Sequence, residues 1–272
     1  MYAIDFEYDG QYLSDFGFII CDFDSTSGAN VVSAGSKITF NKVSLNRGKK
    51  YSLTSTQYDE CISTTFDICK NPDEYDYENM VISKDEYRAL MRWLNRREFL
   101  KFHVLSEDEY YAGECYFNAS FNIEKIEIGC KLYGMRLTME TNSPFGYGDE
   151  ITTILTFSNT SVHGYVNYVS DEIGAIFPDV TITCNADGDL TIYNELEDCT
   201  TVIKNCTAGE IITLNGVAQI ISSNYDSHDI CNDFNYEFLR IGNTINSINN
   251  SISVSIPCTI EVKYAPIIKD TP

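Results

Sequence analysis

The sequence predicts a mainly β fold, with an N-terminal β-sandwich-type domain carrying one α-helix and a C-terminal antiparallel jelly roll. Three features of the 272 residues point there. Residues 251–266, SISVSIPCTIEVKYAP, alternate almost without error, placing Ile252, Val254, Ile256, Cys258, Ile260, Val262 and Tyr264 on one parity. Asp187-Gly188 and Asn215-Gly216 sit between apolar runs, as hairpin turns do. Residues 142–150, NSPFGYGDE, gather Pro and Gly between strand-like runs and read as a linker between domains 1–145 and 146–272.

Alternation with period two gives a strand one apolar and one polar face. Pro257 falls on the polar parity, where its missing N–H removes a ladder donor, so the reading places this strand at an edge or a bulge. In the N-terminal half KITFNKVSL and STTFDICKN read as further strands. VISKDEYRALMRWLNRREFLKF is different in kind. Ser83 and Glu86 have capping-box spacing, Ile82 and Tyr87 can staple the first turn, and the reading places a helix at about 83–97. Tyr87, Leu90, Met91 and Leu94 make its apolar stripe. Beside that stripe Lys84, Arg88, Arg92 and Arg96 recur at steps of four, and with Arg97 and Lys101 they supply six of the 19 basic residues. Arg88, Arg92, Arg96 and Arg97 are therefore the candidate subunit interface, against the alternative of a solvated face paired with local acids such as Asp85.

Composition sets the function classes. With 43% apolar and 13% aromatic residues the chain can bury a proper core. A net charge of −21 disfavours sequence-specific nucleic-acid binding, which gains affinity by replacing counterions with Lys and Arg, and disfavours anionic membranes. The charge is uneven: residues 1–145 carry 15 Lys and Arg against 23 Asp and Glu, a net of −8, and residues 146–272 carry 4 against 17, a net of −13. The start MYAIDFEYDG has neither a basic nor an apolar signal region, and no run of eighteen apolar residues occurs, so neither secretion nor membrane insertion is expected. Ten cysteines without a C-x-x-C pair read as reduced core thiols of a chain made in a reducing cytosol.

Catalytic signatures are missing: there is no G-x-S-x-G, H-E-x-x-H, Walker loop or helix-opening G-x-G-x-x-G, and no enzyme, cofactor or metal is expected. DFDSTSG at 22–28 places Asp22, Asp24, Thr26 and Gly28 like the start of a calcium loop, but Ser33 stands where its bidentate acid belongs, which favours a plain turn.

FEYDGQYLSDFGFIICD, NRGKKY, the helix ending RWLNRREFLKF, DEYYAGECYFNASF and ETNSPFGYG, followed at the C-terminus by FNYEFLRIGNTINSINNSISVSIPCTIEVKYAP, together resemble the distal tail protein family of tailed bacteriophages. The resemblance spans both halves. It implies a structural tail-tip protein whose N-terminal domain closes into a homo-hexameric ring and whose galectin-like C-terminal domain projects outward. The ring would join the tail tube to the tip lysin or spike, and in many members it carries receptor-binding proteins. It would sit at the virion tail tip after assembly in the host cytoplasm. The rival reading from the residues is a carbohydrate-binding β-sandwich of an adhesin or glycosidase, which calls for exposed aromatic platforms.

Overall fold

The computed structural model describes residues 3–21, 38–58, 61–106 and 115–269. The calcium-like turn at 22–28 and Ser33 lie outside the described residues. The chain divides into two compact units, Met1–Gly148 with Ile268–Pro272, and Asp149–Ile267.

The first unit contains β1 (Ala3–Tyr8), β2 (Gln11–Tyr12), β3 (Phe18–Cys21), β4 (Ile38–Leu45), β5 (Lys50–Tyr58), β6 (Ser63–Lys70), α1 (Lys84–Leu94), β7 (Leu100–Ser106), β8 (Tyr116–Ile128), β9 (Lys131–Thr141) and β10 (Gly146–Tyr147). Its main sheet runs β2-β1-β7-β8-β9-β6-β3, with antiparallel neighbours. Aromatic side chains fill the core. Phe6 meets Phe102 at 5.4 Å and stacks on Trp93 at 5.6 Å, and Tyr8 meets Phe121 edge-on at 5.0 Å between ring centroids.

α1 starts where its capping box starts. Ser83 Oγ accepts from Glu86 N at 3.3 Å, and Glu86 Oε2 accepts from Ser83 N at 2.7 Å, so each residue satisfies a backbone donor of the other. The helix buries Leu90, Trp93 and Leu94, with Ile82 buried just ahead of it. It stops at Leu94, three residues short of the sequence reading, because Asn95 leaves helical geometry at φ −84°, ψ 75°. Arg96 and Arg97 therefore lie beyond the helix.

Two charge pairs brace this unit. Asp67 on β6 faces Arg136 on β9, and the guanidinium grips the carboxylate at 2.8 and 2.9 Å. Lys70 Nζ, nearly buried at the end of β6, reaches Glu86 Oε1 at 2.8 Å and ties the first turn of α1 to the sheet.

The second unit contains β11 (Ile151–Phe157), β12 (Gly164–Asn167), β13 (Gly174–Ile176), β14 (Asp179–Cys184), β15 (Gly188–Asn194), β16 (Cys199–Cys206), β17 (Ile211–Asn215), β18 (Ile220–Ser223), the one-turn helix α2 (Ile230–Asp233), β19 (Ile241–Asn243), β20 (Asn249–Val254) and β21 (Cys258–Tyr264); a last strand, β22 (Ile267–Ile268), follows. A five-stranded sheet, β11-β21-β14-β17-β18, and a four-stranded one, β12-β20-β15-β16, share one core. Ile182, Ile212, Ile260 and Val262 of the first meet Leu190, Ile192, Ile203 and Ile252 of the second in that core. The chain is mainly β with antiparallel sheets, as the sequence predicts.

Three local readings change. SISVSIPCTIEVKYAP is two strands rather than one: β20 belongs to the four-stranded sheet and β21 to the five-stranded sheet. Pro257 stands at the crossing between them, neither at an edge nor at a bulge. β21 is an inner strand, paired with β11 and β14. The alternation survives the corner because Val254 and Cys258 both enter the shared core. Asp187-Gly188 likewise makes a corner from β14 to β15 in the other sheet, with Gly188 at φ 137°. Asn215-Gly216 does begin a hairpin, β17 to β18, but the positive φ falls on Gln219 at 54°.

Candidate assembly surface

β4 and β5 form a two-stranded ribbon of their own. Its tip turns through Arg47 at φ 52° and Gly48 at φ 86°, a left-handed pair in which the glycine meets no steric penalty. Residues opposite each other in an antiparallel pair share a face, so the register assigns the ribbon's two sides. One side carries Ile38, Phe40, Lys42 and Ser44 from β4 with Tyr58, Thr56, Leu53 and Tyr51 from β5. The other carries Thr39, Asn41, Val43 and Leu45 with Gln57, Ser55, Ser52 and Lys50. The bulge that keeps these sets apart is held by Thr54, whose hydroxyl donates to Asn41 O at 2.9 Å.

The first face is aromatic and aliphatic, yet it is open: Phe40 and Leu53 are each 53% exposed and Tyr51 63%. At its base Tyr58 meets Phe145 at 4.7 Å between ring centroids. Lys42 Nζ lies 5.6 Å from the Phe40 ring. Residues 38–58 contain four basic side chains, Lys42, Arg47, Lys49 and Lys50, and no acid, in a chain of net charge −21. A two-stranded hairpin is marginal in water by itself, and the ribbon's apolar side chains are exposed among the described residues.

The arginines singled out from sequence divide. Arg88 and Arg92 are exposed on α1, and among the described residues neither makes an ion pair. Arg96 turns back to Asp9, Nη1 to Oδ2 3.4 Å, while its carbonyl accepts from Ser120 Oγ at 3.0 Å. Arg97 is exposed in the segment after the helix. The acids of residues 71–80, Asp73, Glu74, Asp76 and Glu78, are exposed. The ribbon's character is present in the sequence of residues 38–58: an acid-free stretch with alternating apolar side chains and four cations.

Among the buried polar groups of the second unit is a cluster around Glu210. Glu210, fully buried, accepts from Thr207 N at 3.0 Å and from Ser223 Oγ, and pairs with His228 Nδ1. His228 Nε2 lies 3.4 Å from Asp233 Oδ2. Burial pushes the Glu210 carboxyl up, but the hydrogen bonds from Ser223, His228 and Thr207 outweigh it and hold the group below the usual carboxylate range. Burial would lower His228, and the bond to Glu210 with its charge raises it instead. The cluster fastens the segment carrying α2 to the loop before β17. Of the exposed rings described in this unit, Tyr165 lies on β12 and Phe177 just before β14, whereas Tyr236 packs on Phe234, which bridges to β16 at the opposite edge of the four-stranded sheet from β12. Tyr165 and Tyr236, on opposite edges of the sheet, do not form one aromatic platform.

Comparison with known proteins places this geometry. Residues 1–143 match the family described as phage tail protein N-terminal domain, and residues 145–264 match the phage tail C-terminal domain. The chain belongs to this phage tail protein family. Among solved structures, the Dit (gp 19.1) protein of phage SPP1 is similar with a TM-score of 0.67 at 13% identity, over 96% of this chain and 98% of that one. That protein is described as a paradigm of the hub adsorption apparatus in phages infecting Gram-positive bacteria. At this identity the likeness is one of fold. No curated protein matches. The tail protein thus has a Dit-like, two-unit β architecture and a structural role in the virion tail.

Proposed function

We propose that this tail protein is the ring-forming hub of the tail tip, and that it works by assembly rather than by catalysis. The observation that carries the reading is the β4–β5 ribbon: one uncovered apolar face, four cations and no acid, on an otherwise acidic chain. A cyclic oligomer needs two different patches on each copy that fit each other. The ribbon supplies one, apolar and basic. An acidic neighbour supplies the other through long-range attraction and apolar cover. Arg88, Arg92, Arg96 and Arg97 supply a second basic patch, for which the neighbour's acidic residues 71–80 are the complement.

A homo-hexamer is the closure expected from the family resemblance. In that arrangement the ring joins the tail tube to the tip lysin or spike and carries receptor-binding proteins. The acidic composition supports passage of DNA through such a ring without adhesion, since like charge repels the phosphate backbone. Immunogold labelling of intact virions with antibody to the chain tests the placement. Gold is expected at the end of the tail distal to the head; gold along the tube or at the head contradicts it.

A further inference from the structure

Residues 224–233, NYDSHDICND, carry the acids Asp226, Asp229 and Asp233 and neither Lys nor Arg, so a charged His228 would be their one cation. The segment leaves β18 and carries α2, which lies against β16 and β18. Those are outer strands of the four-stranded and the five-stranded sheet, so the segment is a strap across one side of the sandwich. Its far end is held by groups that do not titrate. Phe234 and Phe238 are buried in the core, Asn235 N donates to Val202 O at 3.1 Å, and Asn235 Nδ2 donates to Thr200 O at 2.9 Å.

The middle of the strap hangs on His228. Its imidazole, 5% exposed, sits between carboxylates from two elements. Nδ1 meets Glu210 Oε1, from the loop before β17, at 2.5 Å, and Nε2 lies 3.4 Å from Asp233 Oδ2 in α2. Both carboxylates are fixed in place. Ser223 Oγ from β18 and Thr207 N donate to Glu210, and Asn205 Nδ2 donates to both oxygens of Asp233 at 3.0 Å. From β16, Cys206 and the Lys204 carbonyl also face the ring, while the Lys204 side chain is exposed. A neutral imidazole donates from one nitrogen and keeps a lone pair on the other, so either tautomer turns a lone pair on a carboxylate. Nε2 is buried, and among the described residues it has no partner in full hydrogen-bond geometry. Only the doubly protonated ring presents a donor to each side.

We propose that the His228 proton is the latch of this strap: with it the segment is closed on both sheets, and its loss on the alkaline side opens residues 225–233 while the rest of the sandwich stays folded. Burial alone would lower His228, and the bond and charge of Glu210 raise it above its ordinary 6.5. Closure is therefore full below that value. Opening grows about tenfold for each pH unit from there to the folded value and then levels off. The latch stands on the second unit alone and holds whether or not the chain forms a ring.

The test is amide hydrogen exchange of the full chain, corrected for the intrinsic pH dependence of exchange, beside an NMR titration of the His228 imidazole carried upward until its proton is lost. The amides of His228, Ile230, Asn232 and Asp233 donate within the strap and report its opening. Their protection is expected to fall about tenfold for each pH unit by which the His228 midpoint exceeds 6.5, with residues 234–239 and the strands of both sheets unchanged. Asp233→Asn should lower the midpoint and open the strap at lower pH, and His228→Gln should leave strap protection independent of pH. A midpoint at or below 6.5, a strap that keeps its protection after the proton has left, or protection lost in step across the whole unit overturns the latch.

Discussion

Trp93 donates from its indole Nε1 to the carbonyl of Tyr8 at 2.9 Å, fastening α1 to β1 across the first core. The same ring stacks on Phe16 at 4.6 Å and on Phe6 at 5.6 Å between centroids. Trp93→Ala is expected to destabilise the first unit by about 3 to 5 kcal/mol, through lost burial and the cavity left behind. Trp93→Phe keeps most of the burial and loses the hydrogen bond, for about 1 kcal/mol. Because Trp93 is the one tryptophan, unfolding must be followed by circular dichroism. Equal losses for both variants would mean that packing around the indole is not what matters.

This residue also shows where sequence reasoning stops. Ser83 and Glu86 mark the start of α1, because a capping box is local chemistry. The helical stripe chosen from spacing, Tyr87, Leu90, Met91 and Leu94, omits Trp93, yet Trp93 is buried and Met91 only half so. Which flank of an apolar stripe faces inward depends on the sheet beneath it, and that is not written in the helix. The corners at Asp187-Gly188 and Pro257 were illegible for a related reason: alternation continues unchanged when a strand crosses from one sheet to the other around a shared core. The ribbon was legible as strands but not as a surface, since only the fold shows that nothing within the described residues covers its apolar side.

The Glu210–His228 pair sets a pH window for the second unit. His228, raised above its ordinary 6.5, contributes stability that is full below that value and lost as pH rises through its folded value. Glu210, held below its ordinary 4.5, contributes stability that is present above that value and lost as pH falls through its folded value. The melting temperature should therefore be highest between about pH 4.5 and 6.5 and fall on both sides. His228→Gln should flatten the alkaline fall. An unchanged alkaline slope in that variant would remove His228 as its source.

Residues 149–267 carry their own core, and expressed alone they should be soluble and unfold cooperatively. Dispersed amide spectra and a sigmoidal thermal transition are the expected readings. A collapsed, poorly dispersed spectrum would show that the first unit is needed to fold the second.

The two exposed arginines of α1 should matter to assembly and not to folding. Arg88→Glu with Arg92→Glu is expected to weaken association, with stronger salt sensitivity than the wild type, while circular dichroism stays unchanged. Arg96→Ala removes an exposed pair with Asp9 and should alter stability by about 0 to 1 kcal/mol. If the double variant sediments like the wild type at low and high salt, the stripe is a solvated face.

Whether this tail protein closes on copies of itself is read by gel filtration with light scattering, followed by electron microscopy of the peak. Each copy has a mass of 30.8 kDa. The expected particle is a hexameric ring with a central opening, and Phe40→Asp with Leu53→Asp on the open face of the ribbon should return it to folded monomers. Wild-type protein that stays monomeric at every concentration, or a ring unaffected by those two charges, would contradict the account.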